Sequence, residues 1–240
     1  MNRFRLIIDP PRRAALNMAI DEALLSGKAA DARPTLRFYG WETPSVTAGY
    51  FQKIEKVAAH FDAEKKGIPV VRRLSGGGAV LHGQDLTFSL CLPVPNAYFP
   101  SDVKSSYLKI NEAVRTGLKA DIPDIDYADC RTVTPAATKK GERVCFEKPA
   151  CYDLLLHGKK VLGASQRRIG GRLLHQATLF LDLDRDLLIA RILRGFENAW
   201  KVDLQEAPLS GEELARAAEI EEKRYSSPEW ALLRDLSFLA

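Results

Sequence analysis

The chain reads as an α+β fold with a largely antiparallel or mixed central sheet flanked by helices. Helical patterns open and close the sequence, and short strand-like runs crowd the middle in two groups. The two kinds of segment do not alternate regularly, which disfavours a doubly wound parallel sheet.

Residues 11–26 place Ala15, Met18, Ala19, Ala23 and Leu24 at helical spacing, after Pro10 and Pro11 and before Gly27, predicting a helix packed along one face. Strand runs follow at Thr35–Tyr39, Ser45–Ala48, Pro69–Leu74, Ala79–His82 and Leu86–Leu92. From Ser101, the expected cap, Val103, Tyr107, Ile110, Val114 and Leu118 recur at spacings of three and four, as on a helix face. Tyr152–Leu156, Lys160–Arg168 and Leu173–Leu183 read as an antiparallel meander turning at His157-Gly158 and Gly170-Gly171. Helices are expected over the remainder, 185–240. No repeat, low-complexity stretch or Gly/Ser linker divides the 240 residues, so one domain spanning 1–240 is expected.

Thirty-five Lys and Arg against 31 Asp and Glu leave a formal charge of +4, too small for a nucleic-acid arm and of the wrong sign for an acidic tail. The N-terminal apolar pulse Leu6-Ile7-Ile8 is far shorter than a secretory core or a membrane span. Four cysteines, none in a CxxC pair, point to a reducing compartment and not to a disulfide framework. A soluble cytoplasmic protein, binding neither nucleic acid nor membrane, is the expectation.

Two segments carry candidate chemistry. Arg72-Arg73-Leu74-Ser75-Gly76-Gly77-Gly78, followed by His82, sets three glycines between two strands; such a loop brings backbone N–H groups close to a ligand, and the arginines suit phosphate or carboxylate. A solvated hairpin is the plain alternative, and neither a Walker A loop nor a dinucleotide fingerprint is present. Cys145, with Lys160 fifteen residues on, offers a thiol that a neighbouring ammonium would activate for acyl transfer. Against this stands the ordinary buried cysteine. Cys145 and Cys151 lack zinc-ligand spacing, so no metal is expected. On a regular strand Lys160, Leu162 and Ala164 share one face, with Val161, Gly163 and Ser165 on the other. Taken singly, His82 and His175 read as hydrogen-bonded structural histidines.

Together, the segment from Arg72 to His82, Gly158-x-Lys160-Val161-x-Gly163 and His175-x-x-Thr178-Leu179 resemble the catalytic domain shared by lipoate-protein ligases, octanoyltransferases and, more distantly, biotin-protein ligases. The resemblance spans about residues 15–185, including Asn17–Leu25, Pro34–Trp41 and Gly49–Gln52. It implies a biotin/lipoate ligase-like fold. Cys145-Phe146-x-x-Pro149-x-x-Tyr152 with Lys160 is similar to the cysteine-dependent octanoyltransferase branch.

That branch implies transfer of octanoate from acyl carrier protein, through a thioester on Cys145 assisted by Lys160, to a lysine of a lipoyl domain. Acceptors of that kind include glycine cleavage H protein and dehydrogenase acyltransferase subunits; no cofactor is implied. Arg73, Ser75, Gly76, Gly77, Gly78, His82, Gly163 and His175 are carried over as substrate-binding residues. The chain departs from the branch at three places: Gly78 stands for arginine, Cys151 for tryptophan and Gln176-Ala177 for His-Gly. Cys151 is thus a second candidate nucleophile. An ATP- and magnesium-dependent lipoate ligase, an amidotransferase between lipoyl domains and a non-catalytic acyl-binding module stay open as alternatives.

Overall fold

A computed structural model describes residues 2–27, 33–95, 99–131, 133 and 144–233. The ends of the expected 1–240 span, Met1 and 234–240, lie outside the described residues. The strands are β1 (Asn2–Ile8), β2 (Thr35–Tyr39), β3 (Ser45–Ala48), β4 (Val70–Arg72), β5 (Val80–His82), β6 (Leu86–Pro93), β7 (Asp126–Tyr127), β8 (Leu154–Leu156), β9 (Lys159–Ile169), β10 (Arg172–Leu179) and β11 (Val202–Glu206). The helices are α1 (Ala14–Ser26), α2 (Ile54–His60), α3 (Ala63–Lys66), α4 (Val103–Leu118), α5 (Arg185–Trp200), α6 (Gly211–Ile220) and α7 (Pro228–Leu233), with a π-helical turn over Glu221–Tyr225.

Eight strands form one mixed sheet in the order β11-β1-β2-β6-β10-β9-β8-β7, and three form a small sheet, β4-β3-β5. The mixed, helix-flanked sheet matches the fold class read from the sequence. β1 runs parallel to both β2 and β11, whereas β6, β10, β9 and β8 form an antiparallel series. One sheet face packs on α4 and α5 through Phe88, Leu162, Ile110 and Phe196. The other carries α1, Leu174 and the C-terminal Tyr225 and Trp230. Among the described residues, no helix is long and apolar enough to cross a membrane.

Several expectations are corrected. β1 and β11 join the sheet although neither was read as a strand; Phe4 and Leu6 turn inward, as does Val202. The helical remainder expected over 185–240 is therefore interrupted by β11. The α4 cap is Asp102, not Ser101, its carboxylate accepting the Ser105 N–H. β10 ends at Leu179, short of Leu183. The glycine loop joins β4 to β5, which flank β3 and do not pair as a hairpin.

α1 is buried from Asn17 to Leu25 without a break, because it lies between the large sheet, the small sheet and the α6–π-turn segment. A helix so placed must satisfy its polar side chains internally. Asp21 pairs with Arg37 at 2.8 Å and accepts from Tyr39 and Ser89, while Glu22 pairs with Arg224 at 2.9 Å.

α4 and α5 touch through glycine. A methyl on Gly117 would overlap the Arg191 carbonyl, and one on Gly195 would overlap that of Ala113. Gly195→Ala gains about 1 kcal/mol of helix propensity but forces the helices apart. A net loss of about 2 kcal/mol is expected in urea unfolding; unchanged stability would mean the crossing is loosely packed.

Candidate active site

Lys160 lies next to an irregularity in the β8–β9 pairing. Leu154 pairs with Leu162 but Leu155 pairs with Lys160, so Val161 is the extra residue of a β-bulge. Val161 consequently packs in the core beside Leu162. Lys160 swings to the Gly163 side, where a Cβ on Gly163 would stand 2.7 Å from Lys160 Cε and 2.9 Å from Cys145 Sγ. This corrects the grouping of Lys160 with Leu162 that simple alternation predicts.

Cys145 arrives from the opposite direction. Ala79, just beyond the three glycines, bridges Val144 in parallel and accepts the Cys145 N–H at 2.8 Å. Lys160 Nζ lies 3.4 Å from Cys145 Sγ, donates to the Cys145 carbonyl at 2.8 Å and pairs with Asp153 Oδ2 at 2.7 Å. Burial pulls the Lys160 ammonium down, but Cys145 and Asp153 outweigh it and hold it above the ordinary lysine value.

Arg73 is also buried, and its five donors are all used within the chain. Nε donates to Ser75 Oγ, Nη1 to the carbonyl and hydroxyl of Thr47, and Nη2 to the carbonyls of Gly76 and Gly78 at 2.6 and 2.7 Å. The guanidinium therefore folds the loop around itself and has no donor left for a ligand anion. Arg72 likewise binds the carbonyls of Tyr50 and Gln52, and those of Trp230 and Ala231 on α7. The expectation that these arginines meet phosphate or carboxylate is corrected accordingly. None of the Gly76, Gly77 or Gly78 N–H groups donates to a backbone or side-chain acceptor among the described residues.

Ser75 is fully buried; its hydroxyl lies 2.7 Å from Ser165 Oγ and 2.5 Å from Gln176 Oε1, and Gln176 Nε2 donates to Asp21 at 2.8 Å. Gln176 thus links the loop to α1 and to the Arg37 network. His82 stacks on Trp41 at 3.9 Å, with Nδ1 2.9 Å from Asp85 and Nε2 2.9 Å from Thr47. Burial lowers its basicity despite Asp85.

His175 follows the other phase of β10. It is fully buried beside Tyr107 and Phe88, with Nδ1 3.1 Å from Gln166 Nε2, and it borders neither cavity described below. Burial pushes its imidazole down to about 3, so the ring is neutral. The geometry takes His175 out of contact with the site, in contrast to the substrate-binding place expected for it.

Cys145 stands where two cavities meet. The larger, about 460 Å³, runs past Gly77 and Gly78, Val103 and Tyr107 of α4, Val144, Tyr152 and Lys160; that volume falls within the usual range for small-molecule sites. The smaller, about 20 Å³, is bordered by Met18, Trp41, Arg73, His82, Gly163 and Gln176, room for about one water. Cys151 borders the larger cavity but is bonded to Cys130, their Cα atoms 4.6 Å apart. It is not the second free thiol, and so not the second candidate nucleophile, that the sequence suggested. Cys91 is free, but burial raises its thiol far above the usual range.

Asp153 and Gln176 were not among the candidate residues. Gln176 stood out only as a departure from the family pattern. Asp153 carried no sequence signal, because its partner lies across a turn and a hairpin.

Two outcomes are expected. Gly163→Ala separates the ammonium from the sulfur, so Cys145 alkylation by iodoacetamide at neutral pH slows about tenfold; an unchanged rate would mean that the sulfur does not feel Lys160. Neutral His175 contributes stability that is complete above its unfolded value of 6.5 and is lost as pH falls toward about 3. The stability difference between the parent and His175→Gln, followed by urea unfolding, should shift against the parent across that window; a constant difference would contradict this.

Residues 13–206 match the family described as lipoyl protein ligase A/B catalytic domain. Octanoyltransferase LipM of Brevibacillus brevis is 30% identical over 279 residues, covering 98% of this chain and 100% of its own length. That of Halalkalibacterium halodurans is 35% identical over 233 residues, covering 90% and 84%. Among solved structures, a bi-partite lipoate protein ligase from Thermoplasma acidophilum superposes with a TM-score of 0.76 at 25% identity, covering 99% of this chain and 100% of that one. Lipoate-protein ligase A bound with ATP gives 0.77 at 27% identity, covering 96% and 98%. The family match begins at the N-cap of α1 and runs to the last residue of β11, beyond the limit near 185 read from motifs. With that match and relatives similar along nearly its whole length, the chain belongs to the lipoyl protein ligase A/B catalytic domain family.

Proposed function

We propose that this chain is an octanoyltransferase of protein lipoylation that holds the octanoyl group as a thioester on Cys145. Near full-length similarity to curated octanoyltransferases supports the reaction class. The observation that carries the route is the 3.4 Å approach of Lys160 Nζ to Cys145 Sγ at the edge of a ligand-sized cavity.

In this reading the Cys145 thiolate attacks the thioester carbonyl of octanoyl acyl carrier protein, with the Lys160 ammonium balancing its charge. The tetrahedral oxyanion takes hydrogen bonds from the uncommitted N–H groups of the glycine loop, each contributing about 3 to 4 kcal/mol. Collapse breaks the donor's C–S bond, and the carrier leaves as its thiol after gaining a proton. A lipoyl-domain lysine then attacks the acyl-enzyme; amide formation releases Cys145 and a proton. Glycine cleavage H protein and dehydrogenase acyltransferase subunits are acceptors of the required kind. The apolar chain gains about 0.8 kcal/mol for each methylene taken out of water. No step consumes ATP, and a carrier-protein donor fits a cytoplasmic setting.

Ser75, the loop glycines, Arg73 and His82 shape the walls in this reading, and Gly163 leaves room for the reacting pair. The ligase-like Ser75-Gly76-Gly77-Gly78 sequence and the solved ligase relatives favour a second reading, ATP-dependent lipoate ligation, in which Cys145 is structural.

Intact-mass measurement after mixing with octanoyl carrier protein separates the two. The parent and Cys151→Ala should gain one octanoyl group, and Cys145→Ala none, with transfer down at least about 10³-fold. Full activity of Cys145→Ala, with pyrophosphate released from lipoate and ATP, would replace the transferase by the ligase. Octanoyl lipoyl domain offered as donor tests the amidotransferase variant in the same assay.

A further inference from the structure

Lys160 Nζ has three donors, and three acceptors meet it: the sulfur and the carbonyl of Cys145, and the Asp153 carboxylate. The Lys160 and Asp153 side chains are 4% and 5% exposed, so water does not substitute for either partner. Asp153 Oδ2 also accepts the Ala150 N–H at 2.5 Å. The Asp153 backbone is held as well, its N–H donating to the Ala150 carbonyl and its carbonyl accepting the Ala128 N–H at 2.8 Å. Tyr152, immediately before it, has φ +70°, a left-handed conformation that non-glycine residues adopt only when their surroundings enforce it. The Cys130–Cys151 disulfide ties the same turn to the loop over 128–130 that follows β7.

From this geometry we infer that Asp153 is a positioning residue for acyl transfer, a carboxylate that aims the Lys160 ammonium at Cys145 and keeps the proton on its nitrogen. The inference rests on the thioester reading above. A buried thiolate and ammonium side by side can collapse to a thiol and an amine by moving one proton, and the thiol is a poor nucleophile. The carboxylate in contact with Nζ opposes that transfer; burial raises the Asp153 carboxyl, and the Lys160 ammonium acts against that rise. Other charged or titratable groups facing the pair are Arg73 from the glycine loop, Tyr107 and Lys104 from α4, and Glu147 and Lys148 beside Cys145. Of these and Asp153, the carboxylate of Asp153 is the one in ion-pair contact with Nζ among the described residues.

Single-turnover acylation from octanoyl carrier protein, measured against pH and donor concentration, tests this. The parent should show no alkaline decline below the ordinary lysine range, because its ammonium is held above that value. Asp153→Asn should lower the maximal rate about 10- to 100-fold with an unchanged KM, and its alkaline decline should begin at least about one pH unit earlier. Asp153→Glu, which keeps the charge but misplaces it, should be slow with the decline back near that of the parent.

If Asp153→Asn keeps the parent's pH profile while the parent acylates normally, the inference falls and the transferase reading stands. If the parent takes up no acyl group, both fall. Should Asp153→Asn fail to fold, Asp153→Glu decides, and an early alkaline decline in it overturns the inference.

Discussion

A buried ammonium persists only where acceptors and opposite charge enclose it, and much of the local architecture around Lys160 exists to meet that demand. The bulge at Val161 turns the lysine toward the cavity side. The missing Cβ of Gly163 opens the space in which nitrogen and sulfur meet. The bridge from Ala79 to Val144 delivers Cys145, and the strained turn at Tyr152 delivers Asp153. Each device is local, and all but Ala79 lie within residues 144–163, so the pair depends on the β8–β9 hairpin and on the bridge from the glycine loop that holds Cys145 against it.

The glycine loop obeys the same accounting of polar groups. Arg73 spends its donors on the carbonyls of the loop and on Thr47, and Ser75 and Gln176 tie the loop to Asp21 on α1. Removing one member leaves buried partners unsatisfied, at about 1–3 kcal/mol each. The carbonyls of Gly76 and Gly78 are thus committed to Arg73, while the N–H groups of Gly77 and Gly78, which line the cavity, make no hydrogen bond among the described residues. Alternation along β10 divides the roles of neighbouring residues: Gln176 joins this network, and His175 packs against α4 on the opposite face.

Periodicity made the central architecture legible. Alternation in β6 and three-four spacing in α4 are direct imprints of burial, and the glycine and cysteine segments stood out by composition. What escaped had a weak local imprint or none. β1 alternates Arg3 and Arg5 with Phe4 and Leu6, and β11 sets Asp203 between Val202 and Leu204, but each alternation is too short to stand out from the polar residues around it. α1 resembles a one-faced helix because the partners of Asp21 and Glu22 come from elsewhere in the chain. One extra residue at Val161 reverses the facing of Lys160, and pattern reading has no means of seeing a bulge. Asp153 and the Cys130–Cys151 bond are consequences of tertiary approach.

The central claim is that Cys145 carries the acyl group with Lys160 at its side. A crystal structure of the protein after exposure to an octanoyl thioester tests it most directly. The account predicts density continuous from Sγ of Cys145 into the adjoining cavity, with Nζ of Lys160 in hydrogen-bond contact with the thioester group. An octanoyl chain bound elsewhere, or attached to a nucleotide with Cys145 unmodified, would contradict it.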